Sequence, residues 1–360
     1  MNNNPMLPQS TDSLTAFLSR PPRWLLTKAI QDHYQDKVIL VTGGGGSIGS
    51  ALCRMLADCA PKALIVVDIY ENNAYALQQA LWQQGKSLTV EIASVRDKAK
   101  LDRLFARYRP QIVFHAAAHK HVPLMEQCPD EAVKNNIFGT CNVADLCEAH
   151  GVEKCILIST DKAVHPTSIM GATKRMCEWI LQSRRDSHTC FAAVRFGNVL
   201  DSNGSVIPLF RQQIEAGGPV TLTDKRITRY FMLIPEAVQL VMTAGAIAHN
   251  GDLYVLDMGE PVQILTLAES LIRQYGFEPY RDIQIREIGL RPGEKLYEEL
   301  FLSPDRVEKT ENPLIYREKE LAPSRETIAE KLRFLQAAVA TGEAETVREA
   351  LHKVIPEYRV

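Results

Sequence analysis

The apolar run Val38–Thr42 passes without a break into Gly43-Gly44-Gly45-Gly46-Ser47-Ile48-Gly49, and an amphipathic pattern near Ser50–Cys59 follows at once. This order of strand, glycine-rich turn and helix constrains the chain more than any other feature. Gly43, Gly46 and Gly49 allow a sharp turn and bring the backbone close to a ligand at the helix N-terminus, where unpaired N–H groups favour an anion. In this context the segment reads as a dinucleotide pyrophosphate site formed by Gly43, Gly46, Ser47, Ile48 and Gly49. A turn serving only close helix–strand packing is the competing reading.

The same rhythm continues downstream. Short apolar runs at Leu64–Asp68, Thr89–Ala93, Ile112–Ala117, Cys155–Thr160 and Phe191–Phe196 have the character of parallel strands covered on both faces. Amphipathic patterns lie between them near Ala74–Gln84, Lys100–Tyr108, Glu131–His150 and Met170–Arg184. Such alternation predicts an α/β fold, a Rossmann-type doubly wound parallel sheet, over residues 36–200 with later returning segments. Beyond Gly197 it breaks up. Helices near Val206–Ala216, Pro235–Ala248, Ile264–Tyr275 and Lys295–Phe301, with strands at Tyr254–Leu256 and Ile283–Ile285, suggest a smaller C-terminal substrate-binding lobe within 201–323. Residues 324–360 read as a pair of polar helices parted at Thr341-Gly342, and residues 1–35, with a short helix at Trp24–His33, as an extension packed on the surface or used in assembly.

The second strand ends in Asp68, roughly twenty residues after the last glycine, where a carboxylate accepts from the ribose hydroxyls and repels a 2′-phosphate. NAD is therefore favoured over NADP, although an Asp there can also serve as a helix cap or turn residue. Val95 is placed to pack on the adenine, and the small side chains Ala116, Ala117 and Ala118 leave room at the end of the fourth strand. At the carboxyl edge of the fifth strand stand Thr160, Asp161 and Lys162. A hydroxyl, a carboxyl and an amine in succession suit a substrate needing several proton transfers, where otherwise they would form a turn with a surface lysine.

Composition excludes several classes. A net charge of −2 gives no global attraction to nucleic acid or an anionic membrane. The eight cysteines show no CxxC pairing and read as small core residues, with no metal site implied. No apolar run approaches the roughly 18 residues of a membrane span, and no signal-peptide core opens the chain. A cytoplasmic enzyme is the expectation.

Taken together, the motifs resemble the extended short-chain dehydrogenase/reductase family of nucleotide-sugar modifying enzymes, and within it the UDP-N-acetylglucosamine 4,6-dehydratases. The likeness runs through TGGGGSIGS at Thr42–Ser50, HAAAHKHVPLME at His115–Glu126, NNIFGT at Asn135–Thr140 and STDKAVHPTSIMGATK at Ser159–Lys174. It continues in VRFGNVLDSNGSVIPLF at Val194–Phe210, ITRYFM at Ile227–Met232 and GLRPGEKLYEEL at Gly289–Leu300. In that family a tyrosine four residues before the lysine removes a hydroxyl proton. Met170 stands there instead, as in this dehydratase subgroup, and a thioether has no proton to exchange.

The resemblance implies that Ser159 and Lys174 help hold NAD and that Thr160, with water or Lys174, takes the proton of the sugar C4 hydroxyl. Lys162, deprotonated in a desolvated pocket, removes the C5 hydrogen, protonated Asp161 donates to the departing C6 hydroxyl, and Met170 fills the tyrosine position. It further implies that Lys120 and His121 line the sugar pocket and that Asn198, Ser205, Val206 and Thr221 hold the nucleotide. Arg229 and Arg291 suit the diphosphate, because a guanidinium matches phosphate oxygens, and Glu294 the ribose. Each of these is, taken singly, an ordinary loop or surface residue. A 4-keto-6-deoxy product with C5 retained is favoured, with a C5-inverting dehydratase, a C4 epimerase and a non-catalytic sugar-nucleotide-binding regulator as alternatives. Pairing into a homo-oligomer through helices Glu131–His150 and Met170–Arg184 is also expected.

Overall fold

The computed structural model describes residues 14–15, 17–18, 20–23, 26–319 and 322–359. Its first half holds α1 (Lys28–Tyr34), β1 (Val38–Thr42), α2 (Ser47–Ala57), β2 (Ala63–Asp68), α3 (Glu71–Trp82), β3 (Thr89–Ile92), α4 (Lys98–Tyr108) and β4 (Ile112–His115). There follow α5 (Val122–Gln127), a π-helical turn at Val133–Phe138 leading into α6 (Gly139–Ala149), β5 (Lys154–Ile158), α7 (Ile169–Gln182) and β6 (Cys190–Arg195). The second half runs through β7 (Asn198–Val199), α8 (Val206–Glu215), β8 (Val220–Leu222), β9 (Thr228–Arg229), β10 (Phe231–Met232), α9 (Ile234–Ile247), β11 (Asp252–Leu256), β12 (Val262–Gln263) and α10 (Ile264–Gln274). It closes with β13 (Ile285–Glu287), β14 (Val307–Lys309), β15 (Ile315–Glu318), α11 (Arg325–Ala340) and α12 (Ala344–Val354).

The main sheet has the order β14-β15-β11-β6-β5-β4-β1-β2-β3. Seven strands are parallel, and β15 and β14 close one edge antiparallel. Strand order reverses between β1 and β4, the place where open α/β sheets hold ligands at their carboxyl edge. The predicted doubly wound fold is therefore present. Apolar runs facing both ways are explained by two cores, one under α1, α2, α3 and α9, the other under α4, α6, α7, α11 and α12.

A third core, built from α8, α10, β8, β13 and Phe17, forms the smaller lobe. Its membership differs from the sequence reading in four ways. Tyr254–Leu256 belongs to β11 in the main sheet, and the helix near Pro235–Ala248 packs on α2. The pairing strand is Ile285–Glu287, with Ile283 only in an isolated bridge to Pro279. No helix forms over Lys295–Phe301. Carbonyls that would have carried it are engaged elsewhere: Lys295 O accepts from Arg229 Nη2 at 2.8 Å, and Leu296 O from Arg229 Nη1 at 3.2 Å and from Thr228 N at 3.2 Å.

The N-terminal extension is woven into both units. Phe17 lies in the lobe core, Arg20 pairs with buried Glu236 at 2.7 Å, and the Tyr34 hydroxyl donates to Met242 O at 2.5 Å inside the main domain. The helix begins at Lys28, and Trp24 and Leu25 lie outside the described residues. Every residue of α7 is buried within the chain, with α11 and α12 packed against it. The helix at Met170–Arg184 is thus covered in cis by the C-terminal pair and is not the free pairing face expected of it. Among the described residues no helix is long and apolar enough to cross a membrane, and no His, Cys, Asp or Glu cluster fits a metal.

Candidate active site

The glycine turn is held by close backbone approach on both sides. Gly43 has φ +70°, and a Cβ there would lie 2.6 Å from Ala117 N; one on Gly49 would meet Gly43 O at 2.2 Å, and one on Gly44 would meet Val66 Cγ1 at 2.6 Å. Gly46 has only Gly43 O near its Cβ position, at 3.3 Å, and caps α2 without a side-chain bond. A side chain would fill this cradle, so the residues fit a dinucleotide phosphate placed against the backbone. Asp68 stands beside it, accepting from Gly45 N at 2.8 Å and Tyr70 N at 2.9 Å, so it braces the turn from the position predicted for the ribose. Ser47 Oγ accepts from Asn203 N at 3.1 Å, and Ile48 begins to pack on the main core. Ala116, Ala117 and Ala118 are half-buried at the end of β4, whereas Val95 is buried in the core, where a Cβ on Gly139 would meet it.

His115 anchors this edge. It is fully buried, with Nδ1 2.7 Å from Thr42 Oγ1 and Nε2 2.9 Å from Thr140 Oγ1, and burial pulls its pKa down to about 3.

The turn after β5 brings Thr160, Asp161 and Lys162 together. Thr160 Oγ1 donates to Asp161 Oδ1 at 3.0 Å, and Lys162 Nζ donates to the same oxygen at 3.0 Å and to Asn198 Oδ1 at 3.2 Å. On α7, Gly171 lies against this turn, for a Cβ would come 2.2 Å from Lys162 O. Asp161 is wholly enclosed, and its Oδ2 has no partner among the described residues. Burial, with the nearby Glu298 carboxylate adding to it, raises its pKa and favours the protonated form. Lys162 behaves otherwise than the sequence reading required. Burial pulls its ammonium down, but the Asp161 and Glu298 carboxylates outweigh this, and the pKa is raised. The resting amine is therefore charged.

Lys174 is buried and donates to Ile158 O at 2.6 Å, and burial lowers its pKa. Ser159 is buried and bonded to Glu178. Met170 lies in the core at 4% exposure rather than in the wall of the neighbouring cavity.

That cavity, about 270 Å³, is lined by Val122, Lys162, Ser168, Val206, Arg229, Arg291, Glu294, Lys295 and Glu298 among others. Gly204 also lines it, and a Cβ there would touch His121 Cε1 at 2.6 Å; Lys120 Nζ donates to Asn203 O at 2.8 Å. Ser205 caps α8, its Oγ buried without a partner among the described residues. Thr221 is tied to Gln213, its Oγ1 accepting from Nε2 at 2.7 Å, and is not in the cavity wall. Arg291 is exposed at the rim, and Glu294 accepts from Thr223 Oγ1 at 2.9 Å and Arg291 N at 3.2 Å. Arg229 is buried, with its guanidinium bonded to the carbonyls of Thr228, Lys295 and Leu296. It shapes the wall in addition to carrying charge there.

Two residues escaped the sequence reading. Glu298 is 8% exposed, with Oε1 3.4 Å from Lys162 Nζ. Asn136, on the π-helical turn, accepts from His119 N at 2.8 Å and donates to His119 O at 3.1 Å and Thr173 Oγ1 at 3.0 Å, fixing the loop before Lys120. Both lie inside quoted motifs, which was the available signal.

A family model described as polysaccharide biosynthesis protein matches residues 39–320. The chain belongs to that family. It is 51% identical over 289 residues to the probable polysaccharide biosynthesis protein EpsC of Bacillus subtilis, covering 79% of this chain and 48% of that protein. The chain thus spans about half the length of the first curated relatives it matches. It is 34% identical to a UDP-N-acetylglucosamine 4,6-dehydratase (inverting) of Campylobacter jejuni, over 76% of this chain and 79% of that one. To a UDP-glucose 4-epimerase of Rickettsia prowazekii it is 36% identical, over 76% and 80%. Among solved structures, the X-ray structure of Pen from Bacillus thuringiensis superposes with TM-score 0.75 at 34% identity, covering 81% of this chain and 92% of that one. Family and fold thus agree with the resemblance seen in the motifs.

Proposed function

We propose that this chain is an NAD-dependent nucleotide-sugar 4,6-dehydratase that converts UDP-N-acetylglucosamine to a 4-keto-6-deoxy sugar. The observation that carries this reading is the hydroxyl–carboxyl–ammonium cluster of Thr160, Asp161 and Lys162, hydrogen-bonded to one another after β5 with Lys162 in the cavity wall. Epimerisation at C4 needs no acid–base pair for C5 and C6, so the cluster favours dehydration over the reaction named for the Rickettsia relative.

The glycine turn, Asp68, Ser159 and Lys174 would hold the dinucleotide, which supplies, when bound, an acceptor for the C4 hydride and its later donor to C6. Thr160 takes the C4 hydroxyl proton and passes its own to Asp161 Oδ1, 3.0 Å away. Lys162, as the free amine, removes the C5 hydrogen. Asp161, where burial favours the protonated form, holds that proton and gives it to the leaving C6 hydroxyl once Lys162 has swung off its carboxyl. The proton taken at C4 thereby departs in the water. Arg291 and Arg229 face the diphosphate, with Glu294 beside the ribose, and Lys120, His121, Asn198, Ser205 and Val206 bound the sugar and nucleotide. Thr221 supports that wall through Gln213.

We favour retention at C5 because of the long GLRPGEKLYEEL segment. The Campylobacter relative, an inverting dehydratase, supports a second reading in which C5 is inverted. Incubating the protein with UDP-N-acetylglucosamine and determining the C5 configuration of the product by NMR separates the two. Full elimination activity in Lys162→Ala would overturn the assignment of the base. A homo-oligomer, expected from the resemblance, would use a face other than α7.

A further inference from the structure

The dehydratase reading leaves one proton without a holder. Lys162 rests as an ammonium between two carboxylates, and an ammonium has no lone pair with which to take the C5 hydrogen. Asp161 cannot relieve it, because Asp161 has to carry the proton that leaves with the C6 hydroxyl. The other carboxylate within reach is Glu298. Its Oε1 is 3.4 Å from Lys162 Nζ and 3.8 Å from Arg229 Nε, and its Oε2 is buried with no hydrogen-bond partner among the described residues. It also lines the cavity, which Asp161 does not.

Resting on that reading, we propose that Glu298 is a positioning residue that receives the Lys162 proton and so produces the free amine that acts at C5. An N–H bond of the ammonium breaks, its electron pair stays on nitrogen, and the proton forms an O–H bond on Glu298. The amine then takes the C5 hydrogen as a proton, and the C5–H electron pair enters the enolate of the C4 ketone. As the C5–C6 double bond forms, the C6–O bond breaks and water leaves with the Asp161 proton. Once C6 has been reduced, Lys162 delivers a proton to C5 and regains one from Glu298. Nothing is consumed beyond the substrate.

The surroundings make this exchange a transient, uphill step, because the same charges raise the Lys162 pKa and lower that of Glu298. The groups facing Glu298 are Lys162 from the turn after β5, Arg229 from β9 and Lys295 from its own loop, while Lys162 also faces Asp161. Burial raises the Glu298 pKa, but the three cations outweigh it, so the group rests ionised and able to accept. The Arg229 contacts to the carbonyls of Lys295 and Leu296 tether the loop that carries Glu298.

The test uses the full chain with its dinucleotide, Glu298→Gln and Glu298→Asp, and UDP-N-acetylglucosamine in deuterated water. Calorimetry reads substrate binding, thermal unfolding reads integrity, and NMR reads label at C5 across pH. Glu298→Gln should bind substrate as the wild type does but label C5 about 100-fold more slowly, the ordinary scale of acid–base assistance. Its residual rate should climb with pH in the alkaline range, where the wild type is level, because the ammonium must now lose its proton to solvent. Glu298→Asp should recover most of the rate. Wild-type labelling by Glu298→Gln would overturn the proposal alone, as would a parallel loss of binding and labelling that Asp does not restore. A wild-type protein that binds the sugar nucleotide yet releases no water would overturn the dehydratase reading and this proposal with it.

Discussion

Ser159 donates its hydroxyl to Glu178 Oε1 at 2.6 Å, tying the residue before the Thr160–Lys162 turn to the middle of α7. Glu178 also receives Arg195 Nε at 2.8 Å and Nη2 at 2.7 Å, and Arg195 Nη1 reaches Glu318 Oε2 at 2.5 Å. Glu318 Oε1 in turn accepts from Leu302 N at 2.6 Å and Ser303 N at 3.2 Å. This buried network connects β5, α7, β6 and β15 to the chain that follows the cavity loop.

Removing its central carboxylate should be severe. Glu178→Ala leaves buried Arg195 without its main counter-charge, a class of change that costs about 3–5 kcal/mol. Urea unfolding should show that loss, with a smaller one for Glu178→Gln, which keeps an acceptor for Ser159. Equal stability of Glu178→Ala and the wild type would contradict the role given to the network.

The glycine turn should discriminate sharply between its members. Gly49→Ala places a Cβ 2.2 Å from Gly43 O, so the turn must shift, with a cost of about 1–3 kcal/mol typical of overpacking and a marked loss of bound dinucleotide. Gly46→Ala meets only a 3.3 Å contact and should leave stability nearly unchanged, although its Cβ enters the cradle and should also lower the bound dinucleotide. Thermal unfolding and the dinucleotide content of the purified variants test the contrast.

His115 should set part of the acid sensitivity. Its folded pKa, about 3, lies below the unfolded value of 6.5, so the unfolded chain binds the proton more readily between those limits. Stability is therefore full above pH 6.5 and is lost as pH falls towards 3, by up to about 1.4 kcal/mol per pH unit. His115→Gln, which cannot charge, should flatten that slope in urea titrations at several pH values.

Much of the fold was legible because parallel strands covered on both faces are continuous apolar runs, as Val38–Thr42 and Ala63–Asp68 show. β14 and β15 were not, since an edge strand such as Ile315–Glu318 mixes charged and apolar residues. The expected helix at Lys295–Phe301 failed because a distant side chain, Arg229, takes its carbonyls, and no local pattern carries that information. Placing Glu298 on that helix hid it from the site. Docking of α11 and α12 on α7 was likewise invisible: Leu335 and Leu351 are spaced as on any amphipathic helix, and their partner face is set only by the tertiary fold. Thr160, Asp161, Lys162 and the glycine turn were legible as candidates because they follow strands at the carboxyl edge of the sheet, whereas the charge state of Lys162 depends also on Glu298, more than a hundred residues away.

The central claim is elimination of water across C5 and C6 of a UDP-sugar by the Thr160–Asp161–Lys162 cluster. Incubation with UDP-N-acetylglucosamine in deuterated water, read by mass spectrometry and NMR, tests it most directly. The account predicts a product lighter by one water, with a 4-keto group and a solvent-derived deuteron at C5. An epimer of unchanged composition with no label at C5, or unaltered substrate, would contradict it.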